Sequence, residues 1–250
     1  MGTIILETAD GIAILALNRP DKRNALNLEM CDELKAAVAA VAGDPSARVL
    51  LVRGNGPAFC AGADLKEREG KSPEWVKERR QRAFVAYAAL AALEIPALAI
   101  VDGACFGSGG EIATCCDFIL ASEKASFRYP EAQWGTVGAT QRLPRIVGKA
   151  MAKELLFTGR TIGADEAKVI GLVNHVIPSD RLYTEAEDMA RHIAKAPPLA
   201  MRLAKRCIDR GLETDLKSGI EIEIQAIEES LAGKEWSAGV AAFAGRKDKT

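Results

Sequence analysis

Two glutamates placed 20 residues apart, Glu111 and Glu131, carry the clearest chemical signal in this chain. Glu111 follows a glycine cluster (Gly107, Gly109 and Gly110) at the predicted opening of a helix, and Glu131 follows a proline beyond the next apolar strand. A glycine-rich turn at a helix start leaves backbone N–H groups unpaired at the positive end of the helix dipole. Such a cradle stabilises an oxygen that gains negative charge, and two carboxylates beside it can accept and deliver protons. The plain structural alternatives are a helix N-terminal acid facing the dipole for Glu111 and an exposed loop acid for Glu131.

Other chemistries lack their residues. The two histidines are His175, in the apolar run LVNHVI, and His192, on a predicted helix. Neither HExxH nor zinc-ligand spacing occurs, no Ser–His partnership can be assembled, and no metal site is expected. Ser108 lies between glycines, but the nucleophile elbow GxSxG needs glycine at position 106, which is Phe106. A GxGxxG fingerprint starting at Gly107 fails at Ile112, and no Walker A sequence occurs. Six cysteines (Cys31, Cys60, Cys105, Cys115, Cys116 and Cys207) include no CxxC pair. They read as buried reduced thiols of a cytoplasmic protein.

The 250 residues carry 33 Lys+Arg against 34 Asp+Glu, a formal net charge of −1. Nucleic-acid and membrane-surface binders are basic, so neither partner is expected. No apolar run is long enough to span a bilayer. The opening MGTIILETADG shows neither the n-region nor the h-region of a signal peptide, and Leu6 breaks the myristoylation pattern.

The elements that must position the glutamates follow from periodicity. Residues 3–8 and 12–18 read as a hairpin around Ala9-Asp10-Gly11. Asn27 caps a helix over 28–42 with Met30, Leu34, Val38 and Val41 on one stripe. RVLLVR at 48–53 reads as a buried parallel strand. Ser72-Pro73 opens a long helix to about Leu93, and its VKERRQR segment (Lys77, Arg79, Arg80, Arg82) reads as a solvated face, or else a contact for a substrate phosphate. Strand–loop–helix units recur from 97–102 into a helix near 109–116, and from 118–122 into 125–127. A helix near 149–157, a short one at 164–170 and a strand at 172–177 follow, so an α/β layered fold is expected. From Ser179 the pattern is helical. Leu182, Ala186, Met189 and Ile193 share one face, and Leu216, Ile220, Ile224, Ile227 and Leu231 form a long apolar stripe. We place a boundary near 196, giving a catalytic core over 1–196 and a helical oligomerisation region over 197–250.

Five segments in order resemble the crotonase (enoyl-CoA hydratase/isomerase) superfamily: NRPDKRNALN at 18–27, AFCAGADLKE at 58–67, VDGACFGSGGEIATCCDFILASEKASFRYPE at 101–131, TQRLPRIVGKAMAKELLFTGRTIGADEAKVIGLVNHVIP at 140–178 and FAGRKDK at 243–249. The resemblance implies a crotonase-like spiral of ββα units with a C-terminal helical trimerisation region, assembled as trimers or dimers of trimers. It implies an acyl-CoA substrate whose thioester oxygen is bonded by the backbone N–H groups of Ala63 and Ser108. Coenzyme A enters as part of that substrate, and no separate cofactor is implied. CoA is expected across loops 22–26 and 61–65, touching Lys22, Arg23, Ala25, Ala61, Asp64 and Leu65, with Lys247 or Lys249 approaching its phosphates. Possession of glutamates at both positions 111 and 131 implies a hydratase, with Glu111 activating water and Glu131 protonating Cα. The alternatives are a Δ3–Δ2 enoyl-CoA isomerase, or a non-catalytic RNA-binding member that uses the 77–82 basic run.

The chain departs from the family pattern in three places. Ser108 stands where glycine is common, which is harmless if its backbone angles suit an L residue. The segment GTVGATQRL (Gly135 to Leu143) is about three residues shorter than the family's and lacks its proline. Trp134 stands where the family usually has an aliphatic residue, either packing beneath that loop, or narrowing the acyl pocket or stacking on a cyclic or aromatic acyl group.

Overall fold

A computed structural model of the chain describes residues 2–233 and 235–244. The first hairpin forms as its turn dictates. β1 (Ile4–Ala9) pairs antiparallel with β2 (Ile12–Leu17), and Asp10 and Gly11 both take positive φ, the geometry of a two-residue hairpin turn. Asn27 caps α1 (Leu28–Gly43) by accepting from the Met30 N–H. β3 (Val49–Gly54) then runs parallel beside β2.

From β3 onward the chain repeats one device three times. β3 is followed by β4 (Ala58–Cys60) and α2 (Pro73–Ala91). β5 (Ala97–Val101) is followed by β6 (Ala104–Phe106) and α3 (Ser108–Ala113), and β7 (Phe118–Ser122) by β8 (Ser126–Arg128). In each repeat the first strand joins one sheet and the second strand another. α4 (Arg142–Val147), α5 (Lys149–Thr158), β9 (Thr161–Gly163), α6 (Ala164–Val169), β10 (His175–Ile177) and α7 (Leu182–Ala194) complete the body. The large sheet has the order β1-β2-β3-β5-β7-β10 and is parallel apart from the first pair; the small sheet has the order β4-β6-β8-β9. This is the spiral of ββα units that the resemblance implies.

Period-2 alternation in the large sheet builds two cores. Leu50, Val52, Ala97, Ala99 and Val101 face α1, α2 and the small sheet, where Met30, Leu34, Phe59, Leu90 and Phe127 are buried. Val49, Leu51, Leu98, Ile100 and Leu120 face the other way onto Leu182, Ala186 and Ala190 of α7. With both faces covered, the central strands are apolar throughout. Beyond the body lie α8 (Pro198–Gly211), α9 (Leu216–Ala232) and α10 (Glu235–Ala244). Among the described residues no helix is long and apolar enough to cross a membrane.

Several expectations are corrected. A strand, β6, lies between β5 and its helix, and that helix spans Ser108–Ala113 rather than 109–116. Residues 126–128 form a strand, and the strand expected at 172–177 is confined to His175–Ile177. The basic run on α2 is a solvated face only in part: Lys77 and Arg82 are exposed, whereas Arg79 and Arg80 turn inward. Arg79 is 2% exposed, bonding the Leu26 carbonyl and standing 3.7 Å from Glu67; Arg80 bonds Thr136 Oγ1 and the Val137 carbonyl; Arg82 pairs with Asp32 and Glu78. Those three arginines are committed to partners within the chain.

Candidate active site

The turn between β6 and α3 sets the site. Gly107 adopts φ +49° and ψ −109°, a conformation that penalises a side chain, and its N–H donates to the Arg128 carbonyl at 2.8 Å. The positive φ falls on Gly107 and not on Ser108, so serine opens α3 with a backbone an L residue tolerates. Gly109 allows α3 to press onto β4: a Cβ there would sit 2.4 Å from the Cys60 carbonyl oxygen. This close approach brings the 107–109 turn beside the 61–63 loop. The Leu26 N–H donates to Gly62 and the Asp64 N–H to Leu26, which leaves the intervening Ala63 N–H without an acceptor. Neither the Ala63 nor the Ser108 N–H donates to protein among the described residues, and both residues line one cleft of about 120 Å³. Two free donors on residues that line one cavity are suited to bind one oxygen.

Both glutamates line that same cleft. Glu111 projects from the first turn of α3 and is 7% exposed. Its Oε1 accepts from the Ala139 N–H at 2.6 Å, and its Oε2 lies 3.6 Å from Arg142 Nη1. The Ala139 backbone takes φ +54° to make that contact. Glu131 begins a short 3-10 turn ending at Trp134. Its Oε2 is buried with no hydrogen-bond partner among the described residues, so one carboxyl atom stands unsatisfied in the cleft. Burial first, and nearby Glu111 second among the raising causes, push the Glu131 carboxyl above its ordinary value; its own backbone N–H and Arg80 oppose this without cancelling it. The two carboxyls therefore stand in unequal environments, Glu111 facing donors and Glu131 partly desolvated.

The other sequence-predicted residues group around this centre. Ala61 donates its N–H to the Arg23 carbonyl at 2.9 Å, tying loop 22–26 to loop 61–65. Lys22 and Arg23 are exposed, with Lys22 Nζ 3.5 Å from Asp21, and Ala25 is half-buried. Asp64 pairs with Arg19 at 3.0 Å, so it serves to hold the two loops together. Leu65 is exposed and lines the cleft. Trp134 is 64% exposed at the cleft, so it does not pack beneath the following loop. Lys247 and Lys249 lie outside the described residues.

Sequence reasoning missed the supporting residues. Asn24 is fully buried, donating to the Asn55 and Ala58 carbonyls and accepting from the Arg19 N–H. Arg80 fixes the 136–137 loop that follows Glu131, and Tyr87 of α2 lines the cleft beside Ser108. Arg142 lies within the quoted TQRL motif, and Arg80 within the basic run. Both were visible as residues but not as neighbours of the glutamates. The six cysteines are unpaired, five of them buried, as their apolar surroundings suggest. Among the described residues no cluster of three or more His, Cys, Asp or Glu side chains could hold a metal ion.

Comparison with known proteins gives the arrangement a lineage. The family model described as enoyl-CoA hydratase/isomerase matches residues 7–250. Crotonyl-CoA hydratase of Syntrophomonas wolfei is 39% identical over 244 residues, 96% of this chain and 94% of that protein. Human enoyl-CoA hydratase domain-containing protein 2, mitochondrial, is 41% identical over 241 residues, covering 93% of this chain and 82% of its own length. The crystal structure of enoyl-CoA hydratase from Bacillus anthracis superposes with a TM-score of 0.95 at 36% identity, over 98% of this chain and 96% of that one. With the glycine turn, the paired N–H donors and the fold all in agreement, the chain belongs to the enoyl-CoA hydratase/isomerase family.

Proposed function

We propose that this chain is an enoyl-CoA hydratase, adding water syn across the double bond of a trans-2-enoyl-CoA thioester. The observation that carries the reading is the pair of unequally held glutamates in one cleft with two free backbone donors. CoA lies across loops 22–26 and 61–65, and the thioester oxygen receives the N–H groups of Ala63 and Ser108. Glu111, held by Ala139 and Arg142, takes a proton from water as its oxygen bonds Cβ. The π electrons move onto the thioester oxygen, and the resulting enolate collapses as Cα takes a proton from Glu131. Burial and the neighbouring negative charge favour the protonated form of Glu131, the form a proton donor to Cα needs. In the dehydration direction the roles exchange. No cofactor beyond the CoA of the substrate is needed. We further propose that the chain assembles as a homo-oligomer, a trimer or dimer of trimers, through its C-terminal helices.

A spectrophotometric assay with crotonyl-CoA tests the reaction. Loss of the conjugated-thioester absorbance is expected, with 3-hydroxybutyryl-CoA as product. Absent hydration, with Δ3–Δ2 isomerisation that survives Glu131→Gln, identifies a single-base isomerase instead.

A further inference from the structure

The cleft that the glutamates line also contains a charge that the hydration chemistry does not use. Arg68 ends a short 3-10 turn, Lys66–Arg68, and lines the cleft together with Leu65, Ala83, Phe84 and Trp134. Its Nε is buried without a hydrogen-bond partner, and among the described residues its guanidinium makes no ion pair. The surrounding charges are already committed. Glu67, the adjacent acid, accepts from the Leu28 N–H at 2.9 and 3.1 Å and pairs with Arg79. Arg80 bonds Thr136 and Val137, and Arg79 bonds the Leu26 carbonyl and has Glu67 as its counterion, its buried Nε lying 3.7 Å from that carboxylate. Arg68 is thus a half-buried cation beside two other cations, and burial and those neighbours pull its pKa down. Glu131 is not its counterion, for the charges that act on the Glu131 carboxyl are those of Glu111 and Arg80. Holding a guanidinium against apolar walls without an anion is unfavourable, whereas a carboxylate can meet its fork with two parallel hydrogen bonds.

We propose that Arg68 is a specificity-determining residue that receives a carboxylate at the far end of the acyl chain, making the substrate class 2-enoyl-CoA thioesters that carry a second, free carboxylate. This rests on the hydratase reading in taking the cleft to hold an acyl group. The thioester oxygen lies at the Ala63 and Ser108 donors and the double bond lies between the glutamates. The remaining chain then meets the wall formed by the 65–68 turn and α2. The cleft volume of about 120 Å³ is smaller than a cavity of roughly 150 Å³ that holds benzene, so the chain that reaches Arg68 is short. Aliphatic contact with Leu65 and Phe84 accommodates its methylenes, and the guanidinium takes its charged end.

The test is calorimetric and needs no turnover. Glutaryl-CoA and pentanoyl-CoA have acyl chains of equal carbon count, one ending in a carboxylate and one in a methyl group. The wild-type protein is expected to bind glutaryl-CoA at least about tenfold more tightly, the scale of a charge-assisted pair. Arg68→Met should bring the ratio of the two Kd values to about one, and Arg68→Lys should leave an intermediate ratio because it keeps the charge and loses the fork. Equal binding by the wild type overturns the proposal. So does Arg68→Met weakening both thioesters in proportion, which would mean that Arg68 serves a phosphate of CoA. Should Arg68→Met fail to fold, wild-type titrations at rising salt still decide, since a charge-based preference must shrink and an unchanged one overturns the proposal. Parallel hydration assays with crotonyl-CoA and glutaconyl-CoA keep the failures apart. Loss of both reactions removes the hydratase reading, while the glutaryl-to-pentanoyl ratio judges Arg68 on its own.

Discussion

Glu131 faces two opposing demands, because what suits it to the proton transfer proposed for it also makes it costly to the fold. Its carboxyl is held above its ordinary value by burial and by Glu111, so the folded chain keeps this proton to higher pH than the unfolded chain does. Stability attributable to Glu131 is therefore present below the ordinary carboxylate range and falls as pH rises through the raised value. Glu131→Gln keeps the shape and removes the charge. Its thermal stability relative to wild type should rise between about pH 4 and neutrality, by roughly 2–4 °C for each kcal/mol recovered in a chain of this size. Melting curves measured across that range check this; a difference that does not change with pH would refute it. The same variant, and Glu111→Gln likewise, should lower kcat for hydration by at least ~100-fold with little change in KM. The double variant should be far less than multiplicatively worse, since the two groups act as a unit. A steady-state comparison of the three variants is decisive. A product of the separate losses would mean that the glutamates act independently.

At the scale of elements, the site depends on α3 pressing onto β4 and on α2 holding the loops. Gly109→Ala would place a methyl group 2.4 Å from a backbone carbonyl that has no freedom to move away. The expected result is a loss of about 1–3 kcal/mol in stability together with a fall in kcat, since the Ser108 N–H is displaced from its place opposite Ala63. Arg79→Met removes a buried charge that joins α2 to the Leu26 carbonyl and Glu67, and should cost about 3–5 kcal/mol in denaturant unfolding. An ordinary stability for that variant would mean that Arg79 is incidental. The same elements show what periodicity could and could not disclose. The hairpin, α1, β3, β5 and β7 were legible because a two-residue turn, an Asn cap and long apolar runs leave local marks. The small sheet was not. AFC, ACF and SFR are three-residue strands of mixed character, too short to display a period of two, and they exist because the large sheet and α3 hold them. The glutamates and the glycine turn were visible as a motif. Ala139, which holds Glu111, and Arg80, which fixes the loop after Glu131, come from segments whose contacts no local pattern records.

At the scale of the whole molecule, the C-terminal helices leave an apolar face exposed on the single chain, which is the ground for the proposed oligomer. α8 and α9 form a hairpin fastened to the body by Lys205 and Asp117 at 2.6 Å and clasped by Arg206 and Glu229. Leu203 is the buried position in α8 and Ala226 the one in α9. Along α9, Leu216, Ile220, Ile224, Ile227 and Leu231 are all exposed, and Ile208 and Leu212 of α8 continue the patch. A contiguous apolar surface of this kind is disfavoured in a soluble monomer and is covered most simply by further copies of the same chain. The stripe repeats at i+3 and i+4, the spacing at which one helix lays a continuous edge against a neighbour. Replacing Ile220, Ile224 and Ile227 together by lysine leaves the packing of the body untouched, because none of the three is buried in it. Sedimentation velocity should then shift from a trimer or larger species to a monomer, while far-ultraviolet circular dichroism stays close to that of the wild type. A wild-type protein that already sediments as a monomer at micromolar concentration would remove the oligomer reading, and an unchanged assembly in the triple variant would move the interface to another face. The outcome also bears on the site, because α2 and α3, which bear the cleft, pack on the same sheet that carries the Asp117 anchor. If assembly steadies that anchor, the monomeric variant should lose thermal stability of the body as well as its partners.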